Sequence, residues 1–321
     1  MDNGRFLNVT VSYACGITHD FDENFSRMKA WLQHAPGYHR LTDSYHPEEF
    51  RMASFVAAIK PDMDAYNESG RFSLEFVCKP QRFTVIGDTP IRYYPVVYGS
   101  LDPETGANTV TPGMCRLEHI EVVADSIFSV EVNYPESSGQ EAIIAFYTRA
   151  MNLLAISTVV ADVGRIAFSG EVPQTASYAQ VAWTFGASSV ALRNNGVETG
   201  YDDYGAVIVN PEAFTARPMI TLGGSENTTI DMNGTRIAIA EYKNAAQRDR
   251  ITVDFDMQDC YSDGLNMNSY VSLHTAEGGV AYSFPQLLPG RNTIITSGYP
   301  VASTSPSAIE YMEITPRWWR T

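Results

Sequence analysis

Carboxylates and aromatic rings are the side chains here whose types and spacing bear on chemistry. Asp254, Asp256 and Asp259, with Glu48 and Glu49, supply the groups a glycoside hydrolase needs as a pair flanking one bond. Asp254 and Asp256 lie two apart on a strand-like run, however. They share one face, read as solvated, and lead into the turn Ser262-Asp263-Gly264. No catalytic residue is assigned. Asp259, Ser262, Asp263, Asn266 and Asn268 are oxygen-rich but lack the spacing and closing glutamate of an EF-hand loop. His19, His34, His39, His46, His119 and His274 show no metal-ligand spacing. Neither a P-loop nor a Gly-x-Ser-x-Gly or Gly-x-Gly-x-x-Gly stretch occurs, so no metal and no cofactor is expected.

The rings are the more informative set. Sugar rings present apolar C–H faces that stack on Trp and Tyr, beside polar groups that bind hydroxyls. Tyr147, Tyr178, Trp183, Tyr201 and Tyr204 are the carbohydrate-binding candidates. Val181, Trp183 and Phe185 share one strand face, which also reads as core. Tyr201-Asp202-Asp203-Tyr204 is a polar loop that either exposes its rings or ties its segment to the rest of the chain. Trp318 and Trp319 must point to opposite sides of one strand, so at least one ring lies on a second surface, either an interface or a core edge.

The elements that position these groups are mostly strands. Phe72, Leu74, Phe76 and Cys78 alternate with Arg71, Ser73, Glu75 and Val77, and Pro80 is expected to close that strand because it cannot donate to a central ladder. Upstream, Leu7, Val9, Val11 and Tyr13 form one face of a strand over residues 5–17. A helix follows, capped by Asp20 or Asp22, with Phe25, Met28, Trp31 and Leu32 at helical spacing and Pro36-Gly37 ending it. This helix should cover one sheet face. Short strands at 38–41 and 51–59 and a loop over 61–70 complete a small sheet. Seven further short runs, 119–123, 127–133, 141–148, 153–158, 165–169, 178–185 and 190–193, read as a β-sandwich. Runs at 219–222, 229–232, 236–240, 251–255, 270–273, 292–296 and 309–314, with Asn233-Gly234 as a hairpin turn, read as a second.

Composition bounds the answer. The 321 residues, 44% of them hydrophobic, suffice for two or three cores. A net charge of −15 argues against a nucleic-acid partner, since phosphate binding needs clustered Lys and Arg. No apolar run approaches the ~20 residues of a membrane span, and the first residues lack the pattern of a signal peptide, so no membrane partner or export is expected. Cys15, Cys78, Cys115 and Cys260 are far apart and read as unpaired thiols.

Several motifs, in order, carry a resemblance. They are Gly37-Tyr38-His39-Arg40-Leu41, Tyr45-His46-Pro47-Glu48-Glu49-Phe50-Arg51, Cys78-Lys79-Pro80-Gln81-Arg82-Phe83 and Asn210-Pro211. Two more are Phe284-Pro285-Gln286-Leu287-Leu288-Pro289-Gly290-Arg291-Asn292-Thr293-Ile294 and Pro316-Arg317-Trp318-Trp319. The set resembles the distal tail protein family of long-tailed phages of Gram-positive bacteria, over roughly residues 5–90 and 207–321. Within the unmatched middle, Ile143-Ile144-Ala145-Phe146-Tyr147, Leu153-Leu154-Ala155-Ile156-Ser157 and the run from Gly170 to Trp183 resemble jelly-roll carbohydrate-binding modules of phage tail and adhesion proteins. The resemblance implies a mainly β chain of three parts: an N-terminal ring-forming sheet-plus-helix domain at 1–92, shortened at its start, an inserted jelly-roll sandwich at 93–206, and a C-terminal galectin-like sandwich at 207–321. It implies a non-enzymatic tail-tip hub, made in the host cytoplasm and located in the virion. Its partners would be five copies of itself in a hexameric ring, the tail tube, other tail-tip proteins, and host-wall polysaccharide bound by the insert. A dedicated carbohydrate-binding adhesin and a wall hydrolase are the rival readings. The acidic charge favours neutral or amino sugars over polyanionic teichoic acid, unless Arg149, Arg165 and Arg193 cluster.

Overall fold

The computed structural model describes residues 8–34, 37–55, 59–64, 68–111, 113–135, 139–224, 228–240, 250–297 and 309–320. Leu7, Pro36 and residues 56–58, on which parts of the first strand, the helix stop and a later strand were placed, lie outside them. The chain is mainly β, with one α-helix among the described residues, and divides into two compact units: residues 1–88 with 317–321, and residues 89–316.

The first unit is built around a long strand. β1 (Val9–Ile17), α1 (Phe21–His34), β2 (His39–Leu41), β3 (Glu49–Phe55), β4 (Asp62–Asp64) and β5 (Ser69–Thr84) are joined by a terminal strand, Trp319–Arg320, that returns to pair with β5. The sheet order is β1-β5-β3-β2. β4, inside the expected loop over 61–70, pairs with the start of β5. Pro80 does not end β5, contrary to the sequence reading. The ladders give way around it instead. β1 stops pairing at Cys78, the terminal strand begins at Arg82, and β3 slips register between Arg51 and Ala53, so the missing N–H faces no partner. The Arg51 guanidinium fills the gap, donating to the carbonyls of Lys79 and Pro80 at 3.3 and 2.8 Å.

Helix α1 covers its sheet only in part. Phe21 is buried, stacked on Phe25 and edge-on to Phe72, and it presses so closely on Gly70 that a Cβ there would lie 2.4 Å from its ring. Phe25, Met28 and Leu32 are half-buried at helical spacing. Trp31, from the same apolar set, is 75% exposed.

The second unit holds the other strands: β6 (Ile91–Tyr93), β7 (Val96–Tyr98), β8 (Ser100–Leu101), β9 (Asn108–Thr109), β10 (Met114–Glu121), β11 (Ile127–Asn133), β12 (Glu141–Tyr147), β13 (Leu153–Val160), β14 (Arg165–Glu171), β15 (Tyr178–Thr184), β16 (Ser189–Asn194), β17 (Val197–Tyr201) and β18 (Ala206–Asn210). They continue as β19 (Met219–Gly224), β20 (Thr228–Met232), β21 (Thr235–Ile239), β22 (Arg250–Asp254), β23 (Asp259–Ser262), β24 (Leu265–Asn266), β25 (Val271–Thr275), β26 (Gly290–Ser297) and β27 (Ile309–Thr315). A five-stranded sheet, β13-β12-β15-β10-β7, faces one end of a nine-stranded sheet, β14-β11-β16-β17-β18-β26-β20-β21-β25. Phe128 of β11 meets Phe146 of β12 edge-on across that core. A six-stranded sheet, β24-β23-β22-β19-β27-β6, supplies a second buried set with Ile220, Leu222, Ile251, Val253 and Ile314. The nine-stranded sheet runs through both halves, and the boundary drawn at 206/207 falls inside its strand β18.

Local sequence explains these faces. In β11 the alternation sends Phe128, Val130 and Val132 inward. β12 has no solvated face. Ala142, Ile144 and Phe146 point to the core between the sheets, while Ile143, Ala145 and Tyr147 are covered from outside by Leu101 of β8 together with Met114. At Asn233-Gly234 both residues take positive φ, +48° and +80°, as a tight hairpin between β20 and β21 requires.

Candidate functional site

The second unit carries two places where side chains converge. The first follows from the Tyr201-Asp202-Asp203-Tyr204 turn. Tyr201 points inward, accepting the Tyr94 N–H at 3.2 Å and meeting the Tyr93 ring edge-on. Asp202 turns the chain: its Oδ1 accepts the N–H groups of Tyr204 and Gly205, and its Oδ2 accepts from Arg291 at 2.9 Å. Asp203 is buried, taking the Trp183 indole N–H at 2.9 Å and the Gly186 N–H at 2.6 Å. Tyr204 is thereby held outward on a fixed turn. It lies edge-on to Phe185 at 6.0 Å, and Phe185 lies 6.1 Å from Tyr98. The three rings are 58%, 39% and 40% exposed, an apolar cluster on an otherwise acidic chain. Burial is the main reason the Tyr98 phenol titrates above its ordinary range; beneath it the Cys115 thiol is pushed up to about 12, by burial and then by Asp203.

The second place is a groove of about 550 Å³ lined from both halves of the unit. β10 contributes Glu118, His119 and Glu121, β15 contributes Tyr178, the β12–β13 turn contributes Arg149 and Met151, and Arg92, Tyr94, Glu310 and Tyr311 close the other wall. A β-bulge aims His119. Between Leu117 and Ile120 the register on β15 slips, and His119 takes φ +53°, a left-handed backbone uncommon outside glycine. The result is an exposed imidazole edge-on to Tyr178 at 6.0 Å. Arg92 joins the two walls, donating to Glu121 at 2.6 Å and to Glu313 at 2.7 and 3.0 Å, with its guanidinium 4.3 Å from the Tyr311 ring centroid. Glu118 is buried against Arg116, whose Nε donates to it at 2.9 Å.

The sequence candidates therefore separate. Tyr204 belongs to the exposed ring cluster and Tyr178, half-buried, to the groove. Tyr147, Trp183 and Tyr201 are core residues, which corrects their reading as sugar platforms. Tyr147 faces the β8–β9 hairpin and donates to the Gly106 carbonyl at 2.6 Å, its phenol pushed up to about 12 by burial. Phe185, read as inward, is displaced outward because β15 ends at Thr184 and the chain turns at Gly186. Asp254 is buried, contrary to its reading as solvated, because its Oδ1 accepts the N–H groups of Asp256 and Met257 in the turn to β23. Asp259 likewise serves a turn, accepting from Cys260 N–H and the Asn268 amide. Arg165 and Arg193 are each paired, with Glu131 and Glu198, while Arg149 lines the groove. Sequence reasoning did not single out Tyr98, Arg92 or the bulge at His119. The Asp-Asp-Tyr-Gly turn was the available signal for the ring cluster, and a bulge leaves none. Comparison with family models, curated proteins and solved structures finds no match for this chain.

Proposed function

We propose that this chain is a non-enzymatic structural subunit of a phage tail tip, of the distal tail protein kind, that forms a homo-hexameric ring through its helix-bearing unit. The tail tube and other tail-tip proteins would be its neighbours in the virion, and the second half of the sandwich unit would be the galectin-like part. The motif set supports this reading, and one observation carries it: the helix-bearing unit leaves apolar surface uncovered. Of α1 only Phe21 is buried, Trp31 is 75% exposed, and Tyr45 is 85% exposed. Burying side chains of this size stabilises an assembly by roughly 1.5–3 kcal/mol each, and a closed ring would bury them in every copy. Light scattering over a wide concentration range is expected to give a hexamer in concentrated solution that dissociates on dilution, with Trp31→Glu shifting the balance toward monomer. A monomer at every concentration would overturn the reading.

The Tyr98, Phe185 and Tyr204 cluster favours a second function for the same particle, weak adhesion to a neutral wall glycan. Exposed rings held by a rigid turn match what sugar C–H faces stack on, and a ring repeats each weak site several times. Of the groove's three carboxylates, Glu118 and Glu121 are engaged by arginines, so Glu310 lacks the second free carboxyl that a hydrolytic pair needs, which supports binding rather than hydrolysis. Titration of neutral wall oligosaccharides into the full chain is expected to show millimolar, salt-insensitive affinity that Tyr204→Ala removes. Binding untouched by that substitution would contradict it.

A further inference from the structure

The groove beside His119 is chemically unlike the ring cluster, and its free charges specify a ligand. Arg92, Glu118 and Glu121 are paired within the fold. Arg149, in the β12–β13 turn, and Glu310, at the start of β27, make no ion pair or hydrogen bond among the described residues, although both line the groove. A purely anionic ligand would meet Arg149 but also Glu310 and the chain's net charge of −15, and a purely cationic one would leave Arg149 facing it. A ligand bearing one charge of each sign answers both. The wall between them is aromatic, with Tyr178 fixed edge-on by His119 and Tyr311 held under Arg92. The two sheet-edge strands at the groove, β6 and β7, are three residues long each and flank Pro95, so they offer little ladder to a peptide backbone. Recognition must therefore come from side chains.

We propose that this groove binds a saccharide unit carrying both a carboxylate and a protonated amine, with Arg149 on the carboxylate, Glu310 on the amine and Tyr178 against the sugar ring. A volume of about 550 Å³ is within the usual range for small-ligand sites. The site is separate from the ring cluster and does not depend on ring assembly. Four sugars test the charge assignment on the full chain at about pH 6, where carboxyls are ionised and amines protonated: muramic acid carries both groups, N-acetylmuramic acid only the acid, glucosamine only the amine, and N-acetylglucosamine neither. Calorimetric titration is expected to rank muramic acid about tenfold or more above each of the others, a difference of about 1.4 kcal/mol. Arg149→Gln should reduce muramic acid to the level of glucosamine, Glu310→Gln should reduce it to that of N-acetylmuramic acid, and neither should shift the melting temperature, since both side chains are solvent-facing. Equal binding of all four sugars, or a muramic acid preference that survives both substitutions, would overturn the proposal. Titration with neutral oligosaccharides reports the ring cluster independently, so either site can fail alone.

Discussion

The helix-bearing unit and the sandwich unit differ in how far each finishes its own core. In β12 six of seven residues are buried, and in β15 five of seven, because the five-stranded sheet is covered on both faces. In α1 one residue of fourteen is buried. Both segments are amphipathic or apolar in sequence, so the difference lies in what the fold sets against them. A sheet sandwiched between a second sheet and a hairpin needs no partner. A helix whose apolar stripe is half covered has further burial to gain, and in the proposed ring a neighbouring copy would supply it.

Truncating one tryptophan in each unit should give the largest difference between them. Trp183 is fully buried and donates to Asp203, so Trp183→Ala removes a core ring and takes the indole donor from Oδ1 of the buried Asp203, whose Oδ2 keeps the Gly186 N–H. It is expected to destabilise the sandwich unit by about 3–5 kcal/mol in urea unfolding. Trp31→Ala should change the stability of dilute protein by no more than ~0.5 kcal/mol while weakening self-association. Equal effects would erase the contrast.

Alkaline titration sharpens it by a smaller amount. Burial holds the Cys115 and Cys260 thiols and the Tyr147 phenol up to about 12, against ordinary values of roughly 8.5 and 10. The folded state therefore keeps protons that the unfolded chain releases. This contribution is fully present below about pH 8.5 and is lost as pH rises toward 12. The urea midpoint of the sandwich unit, followed by circular dichroism, should fall between about pH 8 and 10; an unchanged midpoint would show that these groups titrate alike folded and unfolded.

Much of the fold was legible because period-two alternation survives wherever one strand face is solvated. Ile127–Asn133 was bounded correctly for that reason. Alternation fails to distinguish a sheet covered on both faces, and so Tyr147, on the outer face of β12, read as exposed when a hairpin lies over it. Pro80 misled because β5 itself bulges there: Cys78 and Arg82, four residues apart, oppose Ala53 and Arg51, two apart, so the proline nitrogen faces no ladder partner and the strand continues past it. Asp254 misled because an aspartate that caps a turn is buried by the turn it makes. Of the sugar candidates, Tyr204 was legible from its polar turn. Tyr98 and Phe185 join it only through the pairing of β7 and β15 with β10, a long-range arrangement that local pattern does not encode.

On the proposed reading, the helix-bearing unit completes its core in contact with other copies, whereas the sandwich unit is complete within one copy. Amide hydrogen exchange, read by mass spectrometry at low and high protein concentration, tests it most directly. Peptides from α1 and β1 should gain protection as concentration rises, while those from β12 and β15 stay equally protected throughout. Protection of α1 that is already maximal in dilute solution and does not move with concentration would contradict the account.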